Sequence, residues 1–149
     1  MLPQRQPNSW SCLPTAFAIA LDVPVENIIR YCGHDGSQLV YPDDSDKFRR
    51  RRSFHPQEMI DYCYNCKNKV ALYIEAHPMA TNGSGVFELP IKDDRMFEYL
   101  IKETGVLIGV VNKYQHAVAW DKSQCIDPNG TTYHFAHFNI RGFFVIKSM

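Results

Sequence analysis

Apolar positions divide the chain into a helical first half and a mainly extended second half. The run from Leu13 to Leu21 is almost entirely apolar or small, which predicts a buried, central helix with no solvated face. Because proline lacks an N–H group, Pro14 fits only in the first turn, so the helix is expected to begin at about Ser11 or Cys12. Cys12 is therefore predicted at a helix N-terminus, where the dipole and free N–H groups favour a thiolate.

Three further helices are expected, marked by prolines near the start, glycines near the end or apolar residues at helical spacing. They run from about Pro24 to Tyr31, from Pro56 to Cys66 and from Asp93 to Glu103, with Gly33 and Gly105 as C-caps. The polar stretch Gly36–Ser53 and the glycine-punctuated stretch His77–Pro90 are predicted as loops.

Short apolar runs predict strands, mainly in the second half. The expected strands are Val70–Ile74, Val106–Val111, His116–Trp120, Gln124–Asp127 and Phe143–Ile146. Because helices and strands are largely segregated, the sequence predicts an α+β fold in one domain spanning residues 1–149.

Composition narrows the class of protein. The 16 basic and 16 acidic residues cancel, so no overall field would attract nucleic acid or an anionic membrane. No stretch is long and apolar enough to span a bilayer, and the N-terminus lacks the apolar core of a signal peptide. The five cysteines are an odd number, which favours free thiols in the cytoplasm. We expect no cofactor.

The loop before the predicted nucleophile contains a glutamine. Gln6 lies six residues before Cys12, and its amide can join the Cys12 N–H as an oxyanion hole. A Gln-x5-Cys motif opening a buried helix resembles the papain-like cysteine peptidases, most closely the bacterial branch that processes double-glycine leader peptides. The resemblance implies that Cys12 is the nucleophile and that Gln6 stabilises the oxyanion. It also requires a histidine and then an acidic or amide residue downstream.

A predicted hairpin supplies those two residues. A two-residue turn (121–122) or a four-residue turn (120–123) would place His116 directly opposite Asp127. Their Cβ atoms would then lie about 4.5–5.5 Å apart, and the carboxylate would orient the imidazole. A loop of odd length would make the pair diagonal or put the two residues on opposite faces. The dipeptide at 121–122 is also not a favoured two-residue turn.

The sequence thus predicts a thiol hydrolase that cleaves a peptide or isopeptide bond in a peptide or protein substrate through a thioester. Cys12, His116 and Asp127 would form the triad, with Gln6 in the oxyanion hole. The resemblance implies a papain-like fold, in which the helical N-terminal half carries the nucleophile helix and packs on an antiparallel sheet, with the cleft between them.

Two other interpretations stay open. One is a peptide-binding module stabilised by zinc, whose ligands would be Cys32, His34, Cys63 and Cys66. Cys63 and Cys66 fall on a predicted helix, however, where this spacing equally suits two packed thiols. The other is a catalytically inactive papain-like domain that binds a peptide tail through the Arg49–Arg52 run, although four consecutive arginines also suit a solvated surface.

Overall fold

The structure is a computed structural model that describes residues 1–40, 50–75, 94–111 and 114–149, with only the backbone described for residues 94–97. It is a mixed α+β fold. The helices are α1 (Cys12–Leu21), α2 (Val25–Cys32), α3 (Pro56–Lys67) and α4 (Asp94–Lys102). The strands are β1 (Leu39–Val40), β2 (Arg50–Arg51), β3 (Lys69–Glu75), β4 (Gly105–Val111), β5 (Tyr114–Trp120), β6 (Cys125–Ile126), β7 (Thr132–Tyr133) and β8 (Asn139–Ser148).

A six-stranded antiparallel sheet forms the framework of the second half. Its strand order is β3-β8-β4-β5-β6-β7, while β1 and β2 form a separate two-stranded ribbon. Helix α1 packs against β5 and β4 and also contacts α2 and α3, while α3 in turn contacts β3. None of the described helices is long and apolar enough to cross a membrane.

Helix α1 begins where the sequence predicts. Ser11 is its N-cap, Cys12 is its first residue, and Pro14 lies in the first turn, where a missing N–H leaves no intrahelical bond unmade. Phe17 has no exposed surface, and its ring packs edge-on against the ring of Phe144 on β8. Burying a side chain of this kind contributes roughly 1.5–3 kcal/mol, which anchors the helix to the sheet.

The other predicted helices are found within two residues of their expected bounds. The prediction of Gly33 as a C-cap is confirmed, with a positive φ of 77°. The prediction of Gly105 as a cap is wrong, because this glycine begins β4 and faces the neighbouring strand. A Cβ atom there would lie 1.8 Å from the carbonyl oxygen of Phe144, so only glycine permits the close approach of the two strands.

Most strands are longer than the predicted apolar runs, but β6 covers only Cys125–Ile126 of the predicted Gln124–Asp127, because Asp127 already belongs to the turn that follows. The last one extends from Asn139 to Ser148, because pairing with β3 and β4 continues into flanking polar residues such as Ser148, which stands opposite Lys69. The predicted loop between Gly36 and Ser53 contains the β1–β2 ribbon at its described ends. The predicted loop from His77 to Pro90 lies outside the described residues.

The predicted register of the β5–β6 hairpin is wrong. Trp120 pairs with Cys125, and Ala119 pairs with Ile126, so the connecting loop is residues 121–124. The carboxylate of Asp121 stabilises the conformation of this loop, because it accepts hydrogen bonds of 2.9 Å from the backbone N–H groups of Ser123 and Gln124. Continuing the register places Asp127 opposite Val118 rather than His116.

Candidate active site

His116 and Asp127 are in contact although they are not directly opposed. His116 Nε2 lies 2.9 Å from Asp127 Oδ1. Because the loop still has an even number of residues, Asp127 shares a sheet face with Val118, and therefore with His116 two positions earlier. The pair is thus a diagonal one, and diagonal neighbours remain within reach of long side chains. The predicted contact between the two side chains is therefore present, although the strand register differs from the predicted one.

Asp127 is held at the end of β6 by its own turn and by side chains. Its N–H donates to the carbonyl of Thr131 at 2.8 Å, and Oδ1 accepts the N–H of Asn129 at 2.9 Å. Oδ2 accepts a 2.6 Å hydrogen bond from the hydroxyl of Tyr133. Asp127 is only 4% exposed, so these donors replace the water that a carboxylate otherwise requires.

The pKa values of the pair shift in opposite directions. Burial alone would lower the pKa of His116, but the hydrogen bond and charge of Asp127, with the nearby Cys12 sulfur, raise it from 6.5 to about 9. Burial alone would raise the pKa of Asp127, but hydrogen bonds from His116, Tyr133 and the Asn129 N–H, with the charge of His116, hold it below its usual value. At neutral pH the two side chains therefore form an ion pair.

Cys12 and His116 face the same cleft. The cleft has a volume of about 500 Å³, and both residues lie in its wall. The sulfur lies close enough to the ring to contribute to the raised pKa of His116. Because Nε2 is occupied by Asp127, the nitrogen left for Cys12 is Nδ1. A protonated imidazole and a helix N-terminus both favour the thiolate form of a cysteine, and here they lie beside the same sulfur.

The rest of the cleft wall is mainly apolar. Its larger side chains are Trp10, Leu13, Phe54, Ile60, Tyr73, Ile108 and Phe144. Arg51 lies at 4.7 Å over the ring of Trp10 and donates to the carbonyl of Ser37 at 2.7 Å, which ties the β1–β2 ribbon to the loop before Cys12. Arg50, Arg51 and Arg52 are exposed, and Arg49 lies outside the described residues.

Gln6 lies beside the turn that carries Asp127. Its backbone N–H donates to the carbonyl of Pro128 at 2.8 Å, and Arg5 forms a β-bridge with Asn129. The Gln6 side chain donates one N–H to the carbonyl of Asn8 at 2.8 Å and does not line the cleft. An amide nitrogen carries two N–H groups, so one donor remains. The structure joins this loop to the Asp127 turn, but it does not bring the amide into the wall beside Cys12.

The residues considered as zinc ligands do not form a metal site. Among the residues that the structure describes, no group of three or more His, Cys, Asp or Glu side chains could hold a metal ion. His34 instead accepts the N–H of Gly36 at Nδ1 and donates from Nε2 to Glu58 at 2.7 Å. Burial, and then the charge and hydrogen bond of the same Glu58, raise the pKa of Cys32 to about 12. Cys63 is buried, whereas Cys66 is exposed.

Sequence reasoning missed two side chains that contact the His116–Asp127 pair. One is Tyr133, and the other is Phe138, whose ring lies edge-on to the imidazole at 6.3 Å. His116 stands opposite Gly109 on β4, where a Cβ atom would lie 2.7 Å from the Phe138 ring. Glycine at this position leaves the space that Phe138 fills. The interrupted apolar run of β4 was the only signal in the sequence.

The chain matches no model of a known protein family, and it matches no curated protein. Sequence similarity therefore does not assign it to a family, and the function must be inferred from the chemistry of the cleft.

Proposed function

We propose that the protein is a papain-like thiol hydrolase that cleaves a peptide or isopeptide bond. The observation that carries this proposal is the chain of contacts from Asp127 through His116 to the sulfur of Cys12, which opens on a cleft. A buried aspartate that holds a histidine beside a cysteine at a helix N-terminus is the arrangement needed for nucleophilic catalysis by a thiol.

The α+β class is compatible with the papain-like part of the proposal. Helix α1 carries Cys12 and packs on the antiparallel sheet, while His116 lies on β5 of that sheet and Asp127 directly follows the neighbouring strand β6. The chain order of Gln6, Cys12, His116 and Asp127 is the order that the resemblance requires.

The proposed reaction proceeds in two steps. The Cys12 sulfur, whose proton already rests on His116, attacks the substrate carbonyl carbon and forms a tetrahedral oxyanion. His116 then donates this proton to the departing amine as the C–N bond breaks, leaving a thioester. His116, now neutral, takes a proton from water as the water oxygen attacks the thioester carbonyl carbon. The C–S bond then breaks and the acid product leaves, and the proton on His116 restores the starting Cys12–His116 pair. Asp127 keeps the imidazole oriented and stabilises its charged form.

The oxyanion would accept hydrogen bonds from the Cys12 N–H and the Gln6 amide. The first N–H groups of a helix have no intrahelical partner, so the Cys12 N–H is available to a substrate oxygen. The second amide N–H of Gln6 would have to turn toward the cleft when substrate binds. The backbone hydrogen bond from the Gln6 N–H to the Pro128 carbonyl supports this role, because it holds Gln6 next to the turn that carries Asp127.

The test is labelling with a panel of peptides that carry an electrophilic carbonyl or Michael acceptor, followed by mass mapping of the modified cysteine. We expect one or more peptides to label Cys12 selectively, with the label absent in Cys12→Ala and much slower in His116→Ala. Tyr114→Phe, on the same strand but 77% exposed, is the matched control and should label like the wild type. Equal labelling of the wild type and His116→Ala would overturn the proposal.

A further inference from the structure

Tyr133 contacts the one oxygen of Asp127 that His116 does not use. Its hydroxyl donates to Asp127 Oδ2 at 2.6 Å, whereas His116 Nε2 lies 2.9 Å from Oδ1. We propose that Tyr133 is a positioning residue of the active site, whose hydroxyl keeps the Asp127 carboxylate charged and turned toward His116. This inference rests on the proposed function of the cleft.

The strand register explains why both partners reach the same carboxylate. Tyr133 on β7 stands opposite Cys125, and Cys125 lies two residues before Asp127 on the same face. Tyr133 is therefore diagonal to Asp127 from one neighbouring strand, as His116 is from the other. Each partner takes one carboxylate oxygen, so the plane of the carboxylate is fixed from both sides.

The hydroxyl can act only as the donor in this contact, because an ionised carboxylate has no proton to give. Burial, and then the hydrogen bond and charge of Asp127, raise the pKa of Tyr133 far above its usual value, so the phenol keeps its proton. Without the hydroxyl, Oδ2 would lose the side-chain donor that the described part of the chain supplies, and Asp127 is only 4% exposed. An unpaired buried charge is unfavourable, so the carboxyl would take up a proton more readily.

Among the residues that the structure describes, the other ionisable groups around Asp127 come from β5, β6, β7 and the N-terminal segment. His116 lies on β5, Cys125 on β6 and Tyr133 on β7, while Arg5 in the N-terminal segment lies over Gly130 in the Asp127 turn. Burial, and then the charges of Asp127 and Asp121, raise the pKa of Cys125 to about 12, so it stays neutral in acid. Arg5 stays charged. Cys12 acts on the pair through His116.

The test compares Cys12 alkylation by iodoacetamide in the wild type and in Tyr133→Phe between pH 4 and pH 8. Phenylalanine keeps the ring and removes only the hydroxyl. Loss of one hydrogen bond to the charged carboxylate should raise the pKa of Asp127. The rate deficit of the variant should therefore be small near pH 7–8 and grow several-fold toward the acid end of the range, because the carboxylate of the variant takes up a proton at a higher pH than that of the wild type.

A purely structural role would give a deficit that does not change with pH, and that result would overturn the inference. Tyr114→Phe serves as the control and should show no deficit at any pH. An independent readout follows the carboxyl carbon of Asp127 by ¹³C NMR, where the midpoint should rise in Tyr133→Phe. If Tyr133→Phe does not fold, the titration of Asp127 in the wild type tests the inference by itself. A wild-type midpoint at or above the usual aspartate value would refute it.

The test of Tyr133 can be distinguished from the test of the proposed function. If Cys12 of the wild type reacts no faster than Cys66, the proposed thiol hydrolase function is refuted, whatever the result for Tyr133→Phe. If Cys12 is selectively reactive and Tyr133→Phe matches the wild type across the pH range, only the role of Tyr133 fails.

Discussion

The His116–Asp127 pair should make the stability of the protein depend on pH in a direction fixed by the structure. The folded protein raises the pKa of His116 from 6.5 to about 9. A group whose folded pKa is raised stabilises the fold fully below its unfolded pKa, and this stabilisation is lost as pH rises through the folded value. The relevant window is therefore pH 6.5 to about 9. Asp127 has the opposite shift and titrates below this window.

The expected magnitude follows from the size of the shift. One pKa unit corresponds to about 1.4 kcal/mol, so the His116 shift contributes on the order of 3 kcal/mol to the free energy of unfolding. The imidazole is 21% exposed and the carboxylate 5%, so screening by solvent reduces this value only in part. Between pH 6.5 and 9, His116 should lower the unfolding free energy by up to about 1.4 kcal/mol per pH unit.

Urea unfolding at four or five pH values from 6 to 9.5, under reducing conditions, measures this slope. The matched control is His116→Gln, which retains a polar side chain but has no proton to gain in this range. The wild type should lose stability relative to the control as pH rises. The loss should be smaller in Cys12→Ala, because the sulfur supplies part of the shift. Parallel curves for the wild type and His116→Gln would refute the reasoning.

Three further predictions concern the same site. Gln6→Ala removes an oxyanion donor and should lower kcat by about 10²–10³ with little change in KM. Alkylation of Cys12 by iodoacetamide develops no carbonyl oxyanion, so its rate should stay near that of the wild type. Slower alkylation in Gln6→Ala would contradict the assignment of Gln6 to the oxyanion hole. Asp127→Ala should instead slow alkylation and change its pH profile, because His116 loses its orienting partner. Gly109→Ala would bring a Cβ atom within 2.3 Å of the Asn139 carbonyl oxygen, so it should lower the melting temperature. The same substitution should displace the Phe138 ring from His116, which would change the NMR resonances of the His116 ring. An unchanged melting temperature would contradict this packing.

Local patterns predicted the part of the site on α1. Pro14 limits where the helix can start, and the apolar run behind it requires burial, so the position of Cys12 followed from two local rules. The contact between His116 and Asp127 was predicted for a reason that was partly wrong. It survives because the true loop has the same parity as the predicted four-residue loop, which keeps both side chains on one face.

Other features depend on contacts between distant segments, which one sequence does not reveal. Gly105 resembles a helix cap locally, yet its place is decided by Phe144, about forty residues away, on the neighbouring strand. The role of Tyr133 requires the pairing of β6 with β7, and those strands are only two residues long, too short to leave a period. The hydrogen bond from the Gln6 N–H to the Pro128 carbonyl likewise joins two segments that are far apart in the sequence.

The most direct test of the central claim is the alkylation rate of each of the five cysteines at pH 5.5–6, mapped by mass spectrometry in the wild type and His116→Ala. Cys12 should react fastest, because its sulfur lies beside His116 at the first residue of α1. Burial instead raises the pKa of Cys32, Cys63 and Cys125 to about 12, 11 and 12. This advantage should disappear in His116→Ala. A faster reaction at the exposed Cys66, or an unchanged Cys12 rate in His116→Ala, would contradict the assignment of Cys12 and His116 as nucleophile and base.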